Sequence, residues 1–247
     1  MYKNRLSIYY WLRKFYVSKI FQILPIKRSF LRKIVFTSIF ESNHWVQDGD
    51  ILPKEHVSVS GPGSNISTKQ SNNLISSLLI FLEKYQINSL LDMPCGDFLW
   101  MRELLKKRGQ IKYLGIDIVD EIIKKNKNKY ENDKIKFYSF DIINFYTKDK
   151  FDLVFMRDFF IHMNNSDIMK ILSNLKKMNI EYFAFENFNI NKNKDVNIGK
   201  HRKVNLMLEP FNLEKPFYSF KDHEEDKFIY FYKKSALDKI INQNQNL

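Results

Sequence analysis

The chain has 247 residues, enough for one α/β domain of ordinary size with some decoration and cramped for two. Hydrophobic residues make up 44% and charged residues 28%, which argues against wholesale disorder or a fibrous repeat, and a single cysteine, Cys95, excludes an internal disulfide. The formal charge is +12, but residues 1–40 hold nine Lys or Arg and no Asp or Glu, so the remainder carries only +3.

The basic leader alternates its charges with Tyr, Trp, Phe, Leu and Ile, and Pro25 divides it into two predicted helices. Its longest uncharged runs, Leu6 to Leu12 and Ile20 to Ile26, fall far below the ~20 residues of a membrane span. Bases recur throughout it with no small-residue cleavage site, which is unlike a secretory signal. Three roles stand open for residues 1–45: a helical cap on the domain, a basic amphipathic surface resting on anionic lipid, or a nucleic-acid arm. The last is disfavoured because bulky aliphatics serve no purpose on a phosphate backbone. A cytoplasmic protein, with peripheral contact at the inner face of the membrane as an option, is the expectation for the whole chain.

From about Thr68 helical and strand periods alternate. A helix over Lys69 to Tyr85 precedes a strand from Ser89 to Met93. A second helix is expected over Asp97 to Lys107, and a strand over Lys112 to Ile118. Next come a Lys-rich helix around Glu121 to Tyr130, a third strand from Ile135 to Asp141 and a fourth from Phe151 to Met156. A helix over Ser166 to Met178, with Ser166 as N-cap, leads to a fifth strand from Glu181 to Glu186. This order predicts a doubly wound, Rossmann-like α/β sheet, mostly parallel. Two aromatic strands near Phe217 to Phe220 and Lys227 to Tyr232 would close one edge as an antiparallel hairpin. The division expected is a basic helical extension over 1–45 and one domain over 46–247.

Ligands of such sheets bind beyond the carboxyl ends of the strands, at the loop after the first strand. That loop reads Pro94-Cys95-Gly96-Asp97, with one glycine and flanking acids, where a dinucleotide would need G-x-G-x-x-G. Acids repel a pyrophosphate but suit S-adenosylmethionine, a sulfonium cation without phosphate. Asp117 lies about twenty residues further on, where an acid takes ribose hydroxyls, and Asp141 lies where an acid can accept from the adenine amino group, with Ile118 and Ile142 sandwiching the ring.

Together, His44-Trp45, Ser60-Gly61-Pro62-Gly63-Ser64, Leu90-Leu91-Asp92-Met93-Pro94-Cys95-Gly96-Asp97 with Trp100, Tyr113-Leu114-Gly115-Ile116-Asp117-Ile118 and Arg157-Asp158 with His162 form an ordered series. Late in the chain follow Asn197-Ile198-Gly199, Arg202, Asn205-Leu206 and Pro210-Phe211. The series resembles the class I S-adenosylmethionine-dependent methyltransferases over roughly residues 42 to 240. More narrowly it is similar to a bacterial PCGD-motif group tied to surface polysaccharide tailoring. The resemblance implies Asp92, Gly96, Asp117 and Asp141 as cofactor ligands, with Ser60, Gly61, Pro94, Trp100 and Arg157 beside them. Two departures, His201 where the group often has Trp and Glu186-Asn187 where hydroxylic residues are common, fall where the acceptor should bind.

Methyl transfer to a hydroxyl needs alignment of the acceptor and removal of a proton. His162, just after the fourth strand and with an unperturbed pKa near neutrality, is the candidate base; Asp158 is expected to work with it, while Arg157 could also pair with Asp158 structurally. A Mg²⁺ site on Asp158, Glu186 and Asn187, as in catechol-type methyltransferases, is the lesser alternative, and the scattered histidines have no zinc-site spacing. The aperiodic segment 187–216 is expected to be an acceptor-binding loop, with Glu186, Arg202 and Asn205 contacting substrate. The function expected is O-methylation of a sugar, nucleotide-sugar or related anionic small molecule in surface-glycan assembly, without nucleic acid as partner. Another acceptor (a phosphoramidate, lipid or natural product) and a noncatalytic cofactor-fold protein docking a membrane or partner stand as alternatives.

Overall fold

The computed structural model describes residues 27–46, 52–222 and 226–238. The first predicted leader helix lies outside these residues. The second is α1, Arg28–Glu41, which buries Ile34, Val35, Ile39 and Phe40, and Arg32 with them.

The sheet has seven strands: β1 Ser89–Asp92, β2 Lys112–Asp117, β3 Ile135–Ser139, β4 Lys150–Met156, β5 Asn179–Phe188, β6 Tyr218–Lys221 and β7 Lys227–Lys233. Their order across it is β3-β2-β1-β4-β5-β7-β6. The first five run parallel, and β7 pairs antiparallel with both β5 and β6. The doubly wound sheet with a C-terminal hairpin is therefore as the pattern predicts. The central strands are buried on both faces, so they read as continuous apolar runs such as Leu90-Leu91 and Leu153-Val154-Phe155-Met156.

Helices cover both faces. On one, α2 (Lys69–Lys84) and α3 (Leu99–Lys107) pack Leu74, Leu78, Phe81, Met101 and Leu104 against Leu90, Leu153 and Phe231. A reciprocal cap starts α2, with Ser71 N donating to Thr68 Oγ1 at 3.0 Å and Thr68 N to Ser71 Oγ at 3.2 Å. On the other face, α5 (Asn165–Lys177) sets Ile168, Ile171, Leu172 and Leu175 against Leu91, Val154 and Phe183. The Lys-rich α4 (Asp120–Tyr130) buries Ile122 and Ile123.

Three local expectations need correction. Asn164, not Ser166, caps α5: its Oδ1 accepts from Asp167 N at 2.8 Å, two residues ahead of the serine. Helix α3 starts at Leu99 rather than Asp97, because Phe98 takes a left-handed conformation with φ 63°. Strand β3 stops at Ser139, and Asp141 instead caps the short turn after it.

Candidate functional site

Strand β1 lies between β2 and β4, so the chain leaves its neighbours in opposite directions and opens a crevice at their carboxyl ends. The turn after β1 is pinned there from several sides. Cys95 N donates to Ile116 O at 2.9 Å and Gly96 N to Asp117 Oδ2 at 3.1 Å, while Asn126 Nδ2 donates to Gly96 O at 2.8 Å. Gly96 has φ +52°, and a Cβ there would stand 2.4 Å from Ser60 Oγ, so the corner requires glycine. The 58–64 loop is fastened over this turn through Asp97, whose Oδ2 accepts from Ser58 Oγ at 2.8 Å and Val59 N at 2.9 Å. Ser60 Oγ accepts in turn from Asp97 N at 3.1 Å.

The cavity so formed is lined by Ser60, Asp92, Pro94, Gly96, Trp100, Asp117, Ile118, Asp141, Ile142, Arg157, Asp158 and His162, most of the residues expected at the site. Gly61, Glu186, Arg202 and Asn205 are not in its lining. Asp92 accepts from Tyr113 Oη at 2.7 Å, and burial raises its pKa to about 8. Asp117 accepts from Val119 N at 2.9 Å as well as from Gly96 N, and burial raises it to about 6. Two desolvated carboxylates facing one cavity gain most from a cation placed between them. Beside them, Ile118, Val119, Ile122 and Ile142 with Phe36 and Phe40 of α1 form an apolar slot suited to a flat heterocycle. These carboxylates and this slot fit a sulfonium nucleoside: Asp92, Asp117 and the Gly96 turn would hold its polar end, and the slot its base.

Asp141 does not play its expected part. Arg32 of α1 covers its carboxylate, with Nε on Oδ1 at 3.0 Å and a terminal nitrogen on Oδ2 at 2.7 Å, while Ile143 N and Asn144 Nδ2 take further positions on it. With its lone pairs occupied, this carboxylate has no room for an adenine amino group.

The expected partnership of Asp158 with His162 involves no hydrogen bond between them: Asp158 acts on the imidazole through its charge, which favours the protonated ring. Asp158, held at φ 54°, is paired with Lys227 Nζ at 2.6 Å and Arg157 at 3.0 Å, and these cations hold its carboxyl far below the usual range. Arg157 and Lys227 both reach Asp222 as well, at 2.9 and 3.1 Å, which closes a balanced buried cluster of two cations and two acids. Arg157 also donates to Gly63 O at 3.1 Å and lies over the Trp100 ring, so it ties the 58–64 loop to β4. His162 instead bonds through Nδ1 to Lys200 O at 3.2 Å. Burial lowers its pKa to about 4, so the ring is neutral at physiological pH.

Glu186 is structural rather than substrate-facing: its Oε1 accepts from Phe159 N, Phe160 N and Ile161 N at 3.1, 2.9 and 3.4 Å, and so holds the turn that delivers His162. Asn187 bonds Asn205 and Leu206 N, and Arg202 donates to the carbonyls of Lys194 and Met163. Arg202 and Asn205 therefore order the late loop from inside it. These commitments also keep Asp158, Glu186 and Asn187 from converging on a metal, and among the described residues no group of His, Cys, Asp and Glu could hold one.

Sequence reasoning missed Arg32, Phe36 and Phe40, and quoted Trp45 in the motif series without a place in the site; all four line the cavity from α1 and the turn after it. An arginine inside the apolar face of a helix was the available signal.

Residues 90–179 match the family described as methyltransferase domain, a span from β1 to the first residue of β5. This is an S-adenosylmethionine-dependent methyltransferase domain. No curated protein matches the chain significantly. Solved structures similar to the methyltransferase include the methyltransferase domain of bacterial CtHen1, with a TM-score of 0.51 and 11% identity over 67% of this chain and 100% of that one. The PH0226 protein from Pyrococcus horikoshii OT3 has a TM-score of 0.51 and 18% identity, covering 68% and 92%. For the mitomycin 7-O-methyltransferase MmcR the TM-score is 0.52 with 11% identity, covering 66% of this chain and 54% of that one. At such identities the likeness establishes the methyltransferase fold alone. In the described residues no helix is long and apolar enough to cross a membrane.

Proposed function

We propose that the enzyme methylates a hydroxyl of a sugar, nucleotide-sugar or related anionic small molecule in surface-glycan assembly, as a member of the PCGD-motif group. One observation carries the O-directed reading: His162, a neutral imidazole, lines the same cavity as the carboxylates Asp92 and Asp117. The glycan assignment rests on the motif series and on the polar late loop.

Asp92, Asp117 and the Gly96 turn would hold S-adenosylmethionine, which would supply an electrophilic methyl with a neutral thioether as leaving group. The protein aligns the acceptor hydroxyl with that methyl and accepts its proton at His162 as the new oxygen–carbon bond forms. Asp158 stays ionised throughout, because Lys227 and Arg157 hold it so, and it favours the imidazolium that results. The cavity's acids Asp92, Asp97, Asp117, Asp141 and Asp158 outnumber its arginines, Arg32 and Arg157, both of them paired. An anionic part of the acceptor therefore lies outside, toward exposed Lys200 and His201 beside His162.

The test is a panel of nucleotide-activated sugars incubated with S-adenosylmethionine and read by mass spectrometry for one added methylene unit. His162→Gln should abolish the gain and keep cofactor binding by calorimetry. Full turnover in that variant would remove His162 from the chemistry, and methylation of lipids or other small molecules instead of any sugar would overturn the acceptor class.

A further inference from the structure

Trp45 stands at the end of the turn that follows α1, partly exposed and lining the cavity. Its indole stacks on the imidazole of His162, with ring centroids 4.9 Å apart and planes inclined by 23°. It also meets Phe36 of α1, with centroids 6.3 Å apart. The late loop grips the same histidine from another direction. Gly199 N donates to His162 O and Arg202 N to Ile161 O, both at 3.0 Å, so the loop runs beside the turn as a short ladder. Ile198 anchors this ladder on Val35 and Ile39 of α1, with Trp45 and Phe36 packed against the same cluster.

These contacts have a chemical consequence. The atom opposite His162 Nδ1 is the carbonyl oxygen of Lys200, which can only accept. Nδ1 therefore carries the proton of the neutral ring, and Nε2 keeps its lone pair. A single hydrogen bond sets the tautomer but leaves the ring free to swing about the bond. A flat partner against the ring face removes that freedom.

We propose that Trp45 is a positioning residue for methyl transfer: by stacking on His162 while the Lys200 carbonyl holds Nδ1, it fixes the imidazole plane with Nε2 ready to take the acceptor's proton. The proposal rests on His162 being the base. Trp45 also shields one face of the ring from water. Of the charged groups that act on the imidazole, Asp158 from the turn after β4 favours its protonation and His201 from the late loop opposes it, so the low affinity for a proton comes chiefly from burial.

Long-range ¹H–¹⁵N spectra of the full chain, with His162 assigned by its loss in His162→Gln, test this without an acceptor. The wild type should show one tautomer, protonated at Nδ1, titrating near the value of about 4 that burial imposes. Trp45→Ala should mix the tautomers and move the titration toward the ordinary value of about 6.5, whereas Trp45→Phe should restore both wild-type features. In turnover with an acceptor found in the sugar panel, Trp45→Ala should lower kcat about tenfold or more, with the acid limb of its pH profile displaced upward to match. A wild-type ring protonated at Nε2, or mixed, overturns the proposal even if the alanine variant does not fold. So does a Trp45→Ala protein that melts cooperatively with the tautomer and titration unchanged. Failure of the underlying reading is a separate result: His162→Gln would still methylate.

Discussion

Arg32 of α1 lies across the carboxylate of Asp141 and reaches Asp167 of α5 with its remaining terminal nitrogen at 3.2 Å. One guanidinium thus bolts a helix outside the family-matched region onto both the turn after β3 and the first turn of α5. All three side chains are largely buried, with relative exposures of 4, 12 and 6%.

Arg32→Met should therefore destabilise the protein by about 3–5 kcal/mol, because it leaves two desolvated acids without their cation. Urea unfolding measures this. Arg32→Met combined with Asp141→Asn and Asp167→Asn should recover most of the loss, and an unrecovered triple variant would mean that packing, not charge, sets the cost.

Gly96→Ala should cost about 1–3 kcal/mol and weaken cofactor binding, because the new methyl collides with Ser60 Oγ at a backbone angle that L residues resist. Adding Ser60→Ala should relieve only part of this, since Ser60 Cβ remains 3.1 Å away. Calorimetric titration with S-adenosylmethionine and thermal melting read the two effects separately.

The acids of the cavity set a pH dependence whose sign is fixed by their direction of shift. Asp92 and Asp117 have folded pKa values of about 8 and about 6, above the ordinary aspartate value. The folded protein without ligand thus holds protons that the unfolded chain has released, and the stability they lend is complete below about pH 4 and is lost as pH rises to about 8. A cation favours the ionised form, so S-adenosylmethionine should bind more tightly at pH 8.5 than at pH 5.5 and release protons between. Calorimetry in buffers of different ionisation enthalpy measures that release; affinity flat across the range would show that the sulfonium and amino group do not sit between these carboxylates.

Glu186→Gln should be far milder than Glu186→Ala. Glutamine keeps an acceptor for the Phe159, Phe160 and Ile161 amides, and less than a full charge is lost near neutral pH because burial raises this carboxyl to about 7. Alanine strands three buried donors, at about 1–3 kcal/mol for each such group. Comparing the urea midpoints of the two variants decides the matter.

Most of the sheet was legible in the sequence because buried parallel strands leave unbroken apolar runs, bounded here by acids and turn residues. The place of the crevice was equally legible, since Asp92, Gly96 and Asp117, singled out by the motif series, do line one cavity at the strand ends. What escaped was every pairing between distant segments. Nothing near Asp141 announces that Arg32 will occupy it, and nothing near Asp158 announces Lys227, because such partners are chosen by the packing of α1 and β7. Glu186 misled for the same reason: its place at the end of the expected fifth strand suggested a ligand, but the amides of the neighbouring turn had already claimed it. In the late loop Arg202 and Asn205, expected to contact substrate, face inward instead, where aperiodic sequence gives no indication of side-chain direction.

Cys95 brings this crevice within reach of experiment. The residue is 5% exposed in the wall of the cavity, and burial together with the nearby acids pushes its thiol pKa well above that of a free cysteine. Thiolate, the reactive form, is therefore scarce while the turn stays closed against β2. As the chain's sole sulfhydryl, it would let the speed of alkylation by a bulky maleimide act as a clock for how often that wall opens, and how far an occupied crevice slows the clock would report on ligand residence without any knowledge of the acceptor.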